Sequence, residues 1–73
     1  MYAEKIEKLE NEIQEIKKYI KKDKKEIKNR EKIVSMVKDE EIEVEILLYK
    51  DEIERFKDEL KIRKQLVKNY KKL

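Results

Sequence analysis

Amines and carboxylates are the only reactive side chains this 73-residue chain holds in quantity: 21 Lys and Arg against 18 Asp and Glu, with no His and no Cys. Without them there is no imidazole to move a proton near neutral pH and no thiolate nucleophile. A structural zinc site lacks its usual ligands, and a chain with no Gly has no glycine-rich phosphate loop. What remains is ion pairing and phosphate binding. One basic run, Lys17-Lys18-Tyr19-Ile20-Lys21-Lys22-Asp23-Lys24-Lys25-Glu26-Ile27-Lys28, places Tyr19 where a base could stack. A second cluster, Lys61, Arg63, Lys64, Lys68, Lys71 and Lys72, lies in a segment with no acid and supplies the candidate phosphate contacts. The bland alternative for the first run is a solvated face offset by acids elsewhere. A net charge of +3 and only three Arg favour that alternative.

The elements that must position these groups follow from composition. Charged residues make up 53% of the chain, which by itself would suit disorder, yet ten Ile recur at regular spacing. No Gly and no Pro argue against a fold with several tight turns. Lys, Glu, Leu, Arg and Gln favour long helices. Apolar residues at Tyr2, Ile6, Leu9, Ile13, Ile16, Ile20, Ile27, Val34 and Val37 step by fours and threes, a heptad seam in which Asp23 and Arg30 are the exceptions. A second seam runs through Ile42, Ile46, Tyr49, Ile53, Phe56, Leu60, Val67 and Tyr70, with Arg63 in the gap. The two are out of phase. Continuing the first would put Glu41, Asp51, Arg55 and Asp58 in the core. The break falls at Val37-Lys38-Asp39-Glu40-Glu41-Ile42, where Asp39 suits an N-cap.

Charge selects the direction of the second helix. Residues 1–16 carry net −3, 17–38 carry +7, 39–60 carry −7 and 61–73 carry +6. Folding back at 38–41 lays each basic block against an acidic one, whereas a parallel dimer of one long helix stacks like on like. The same layout favours the helix dipoles, with acids at N-termini and bases at C-termini. The expected fold is all-α: one domain over 1–73, with helices 2–37 and 42–72 joined by a turn at 38–41 in an antiparallel coiled-coil hairpin. The expected register sets Leu9 by Val67, Ile16 by Leu60, Ile20 by Phe56, Ile27 by Tyr49 and Val34 by Ile42. A register shifted by about half a turn is the alternative.

A rival local reading exists. Glu41-Ile42-Glu43-Val44-Glu45-Ile46 alternates as a strand does. A helix–β-hairpin–helix would resemble prefoldin in miniature, in layout alone.

Near the turn, Ile33, Met36, Val44, Leu47 and Leu48 fall off both seams. They are the candidate partner interface, with local thickening of the core as the alternative. A core this small yields ~3–5 kcal/mol at most, so self-association into a helical bundle is expected. The longest apolar run, Ile46-Leu47-Leu48-Tyr49, is too short for a membrane helix. Glu4, Glu7 and Glu10 interrupt any secretory signal, which points to a cytoplasmic protein. The preference for Lys, Ile and Glu suits an AT-rich genome such as that of a low-GC bacterium or its phage. The sequence thus predicts a non-enzymatic, coiled-coil adaptor, inhibitor or regulator that binds a partner protein, with no metal or cofactor. The alternatives are a nucleic-acid-binding hairpin dimer and a structural coiled-coil segment.

Overall fold

The computed structural model describes residues 2–73; residue 1 of the expected 1–73 domain lies outside them. Two helices, α1 (Ala3–Met36) and α2 (Glu40–Lys72), pack side by side as a rod of 56 × 14 × 12 Å. They run antiparallel: Tyr2 meets Tyr70 at one end, ring centroids 5.4 Å apart, and Arg30 meets Glu45 toward the other. The pairs Glu12–Arg63, Tyr19–Phe56 and Arg30–Glu45 fix the register. Each step of seven or eleven residues up α1 is matched by the same step down α2. This is the register that sets Ile20 by Phe56, not the shifted one.

The reversal needs no glycine because neither flank enters left-handed backbone. Val37 ends α1 at φ −133°, ψ 124°, with its N–H donating to the Ile33 carbonyl at 2.8 Å. The Ser35 hydroxyl donates to the Lys32 carbonyl at 2.6 Å. Asp39 is likewise extended, and its Oδ1 accepts from the backbone N–H of Glu41 at 3.0 Å and of Ile42 at 3.5 Å. That cap starts α2 at Glu40, two residues before the expected 42, and shortens the link to Val37, Lys38 and Asp39. Val37, read as a seam residue, therefore falls outside α1 and is exposed.

No strand occurs among the described residues, which overturns the helix–β-hairpin–helix alternative. The alternation over 41–46 is a helical pattern in disguise. Ile42 and Ile46, four apart, both reach the seam, while Val44 points out. The dipole expectation holds for α2, with Glu40, Glu41 and Glu43 first and Lys71 and Lys72 last. It fails at the end of α1, whose last turn has no basic residue; the Val37 N–H closes that end on the Ile33 carbonyl.

The core is one line of side chains. Ile16, Ile20 and Ile27 pack with Ile46 and Ile53, flanked by Val34, Ile42, Tyr49, Phe56 and Leu60. Among the described residues no side chain is wholly enclosed. Replacing Asp39→Ala removes the cap acceptor and is expected to lower the unfolding free energy by ~1 kcal/mol, measured by urea denaturation followed by circular dichroism.

Candidate functional site

Three polar residues interrupt the seam, and each turns toward the same edge of the hairpin. Glu12 and Glu26 on α1, and Glu45, Glu52 and Glu59 on α2, recur at multiples of seven and so line that edge. Arg30 reaches across it, its Nε donating to Glu45 Oε2 at 2.8 Å, while Nη1 pairs with Glu26 one turn back. The guanidinium also lies over the Tyr49 ring, 4.8 Å from its centroid. Hydrogen bonds from Arg30 to Glu45, then to Glu26, hold its proton more firmly than usual. Arg63 does the converse from α2, donating to Glu12 at 2.9 Å with Glu59 at 3.9 Å. Both arginines thus join the helices, as polar seam residues that set register do.

Asp23 has no such cation. It is only 6% exposed, the one charged residue in the core among the described residues, and its Oδ2 has no hydrogen-bond partner among them. Burial raises its pKa above the ordinary carboxylate value. A hydrogen bond with Glu52 and the charges of Glu52 and Glu26 add to the rise, against a lowering by Lys22. Two ionised carboxylates cannot hydrogen-bond each other; the Asp23–Glu52 contact becomes attractive only when a proton sits between them.

The opposite edge is basic. The Lys71–Glu10 pair, 3.4 Å, marks its open end. Stepping inward by sevens brings Lys17 level with Lys64, Lys24 with Lys57, and Glu31 with Lys50. Among the described residues Lys17, Lys24 and Lys64 enter no ion pair, and Lys57 only a 3.8 Å contact with Glu54. The offset expected for the 17–28 run is not made by ion pairs: among the described residues Arg30–Glu45, Arg63–Glu12 and Lys71–Glu10 are the pairs that cross between the helices, and none involves a lysine of that run. Of the candidate phosphate contacts, Lys61, Lys64, Lys68 and Lys72 have no ion pair among the described residues. Lys71 is held by Glu10, and Arg63 faces the acidic edge.

The turn end is apolar on its outside. Ile33, Met36, Val44, Leu47 and Leu48 are all exposed, Met36 the most at 84%, and Val37 joins them. Two further exposed apolar residues, Ile62 and Leu66, lie far from the turn on α2. The heptad signal could have found them, since Leu48 and Ile62 are fourteen residues apart and both lie off the seam. Depressions on the rod are open and shallow; one beside the turn is lined by Arg30, Glu45, Leu48, Tyr49 and Glu52. Among the described residues no group of three potential metal ligands occurs.

Compared with known proteins, the chain matches no family model, no curated protein and no solved structure.

The sign of the Asp23 effect is fixed. Its folded pKa lies above the unfolded one, so the folded state keeps a proton that the unfolded state has lost. Stability therefore falls as pH rises from the ordinary carboxylate range through the folded pKa. Asp23→Asn is expected to be more stable than wild type at neutral pH, because it removes a carboxylate that burial and Glu52 disfavour. The gap should close as pH drops below the ordinary carboxylate range. Thermal melts of both proteins across pH 2.5–8 (values ~1 apart suffice) check it.

Proposed function

We propose that this hairpin is a non-enzymatic, cytoplasmic interaction module that works by docking a partner protein on the apolar surface around its turn. The observation that carries the reading is the exposure of Ile33, Met36, Val37 and Leu47 together at one end of a rod whose own core cannot cover them. Scattered exposed apolar residues are ordinary, whereas a cluster of this kind marks contact surface. The rod form supports it too, since a slender helical pair holds its tip away from its base and leaves that end accessible on several sides. An adaptor, inhibitor or regulator would each use such a tip. No helix among the described residues is long and apolar enough to cross a membrane.

A second reading has its own observation: the lysine edge. Lys17 beside Lys64 and Lys24 beside Lys57 set like charges side by side, and among the described residues the one acid that any of the four meets is Glu54, 3.8 Å from Lys57. A phosphate backbone laid along this edge would relieve that repulsion and release its own counterions. In this reading the hairpin binds nucleic acid by charge, with Lys61 and Lys68 one turn away.

Capture from extract of the source cell tests the first reading, using wild type and the variant Ile33→Asp/Met36→Asp. The expected result is a protein retained by wild type, absent with the variant and indifferent to nuclease. Retention that survives the variant but vanishes with nuclease shifts the assignment to the lysine edge. For that edge, Lys17→Glu and Lys64→Glu are expected to lower the slope of log affinity against log salt by about 1 each, read by fluorescence anisotropy on duplex and single-stranded DNA and RNA. No binding at low salt removes this second reading.

A further inference from the structure

The outside of α2 carries a broken apolar stripe, Val44, Leu48 and Ile62, that reaches Leu66 at its edge, where Leu66 also borders Lys5, Leu9 and Glu12 of α1; all four are exposed, with Ile62 at 60%. At about 100° per residue the four fall within an arc of roughly 40°. Their spacing is four, fourteen, four, which reads the same in both directions along the chain. Laid antiparallel on a second copy, the stripe sets Val44 against Leu66 of that copy and Leu48 against its Ile62. Leu66 and Ile62 then meet the same partners in return. A two-fold contact requires this reciprocity, because one patch must serve as both sides. A foreign protein would impose no such symmetry on the spacing.

Charge obeys the same symmetry. Acids crowd the start of α2 at Glu40, Glu41, Glu43 and Glu45, and bases crowd its end at Lys61, Lys64, Lys68 and Lys71. An antiparallel copy brings each acidic start beside a basic end. A parallel copy stacks acid on acid and base on base. Between the two apolar halves sits Arg55, midway from Leu48 to Ile62, already paired with Asp51 of its own helix at 3.0 Å. In the antiparallel arrangement the two-fold axis passes at Arg55, so the Arg55 side chains of both copies meet there, with Asp51 and Asp58 of both copies on either side as counterions, a polar layer that would fix register.

We propose that a second copy of this chain docks antiparallel on the outer face of α2 through Val44, Leu48, Ile62 and Leu66, giving a four-helix dimer with the two turns at opposite ends. The dimer covers one more line of side chains per hairpin, which the enclosed-residue shortage of the seam calls for. It leaves Met36 and Ile33 outside the stripe. The inference deepens the interaction reading by naming one occupant, and rests on it only in treating exposed apolar surface as contact surface.

Sedimentation velocity on the full chain tests it, with helicity of each variant checked by circular dichroism. Wild type is expected to sediment as a dimer, Ile62→Asp as a monomer, and Met36→Asp still as a dimer. A monomeric wild type over the whole accessible concentration range overturns the proposal. A dimer lost with Met36→Asp but kept with Ile62→Asp also overturns it and leaves the tip reading standing. Because the chain has no Cys, cross-linking gives a second readout that does not depend on a disruptive charge. Leu48→Cys protein mixed with Ile62→Cys protein under mild oxidant is expected to give a disulfide between the two kinds of chain. Homodimers of Leu48→Cys in preference to the mixed pair would mean parallel packing, which also overturns the proposal.

Discussion

Two helices touching along their length share a single line of side chains, and nearly every other feature of this molecule follows from that limit. One row of Ile, Leu and Val is enough to align α1 and α2 but not to enclose anything. Hydrophobic burial therefore sets the direction of the rod without fixing it tightly along the axis. The arginines do the rest. Arg30 and Arg63 sit where apolar side chains would otherwise go, and each must find a carboxylate on the opposite helix at one particular height. A slip of one heptad would set Arg30 against Glu52 but Arg63 against Tyr19 in one direction, and both against lysines, Lys38 and Lys5, in the other. Half-buried pairs of this kind add little net stability, yet they penalise the wrong alignment.

Much of the fold was legible because the residues that decide it act locally. The five-residue step from Val37 to Ile42 breaks the heptad, and Asp39 is a capping residue in the one place where a helix must restart. The limits of α2 were harder to read. A side-chain cap pulls the first helical residue to Glu40, and no apolar spacing reports that. The end of α1 was misjudged for a related reason: Val37 continues the seam in sequence, but its extended backbone takes it out of the helix. A chain without glycine can still reverse here, because Val37 and Asp39 are extended and no residue of the link takes a positive φ.

The candidate surfaces were legible in part. The exposure of Ile33, Met36, Val44, Leu47 and Leu48 could be read from their leftover places outside the heptad. The charge pattern was read along the chain, in blocks, and so its second dimension was missed. Wound into helices, the same residues sort sideways into an acidic edge at Glu12, Glu26, Glu45, Glu52 and Glu59, and a basic one through Lys17, Lys24, Lys57 and Lys64. Blocks predict which helix end meets which; only the seven-residue period predicts which flank a charge faces. Asp23 shows the same gap. Its place in the seam was visible, but its lack of a cation depends on Glu52, rather than a lysine, standing opposite.

The short link has a kinetic consequence. Tyr2 and Tyr70 stand almost a whole chain apart in sequence, and forming their contact first would require closing a very long loop. Starting from the Asp39 cap, however, each rung brings the next pair within reach, so the entropic cost is met in small instalments. The chain can close like a zipper from Val34 and Ile42 toward the termini, and a topology whose contacts look distant on paper is built from neighbouring steps.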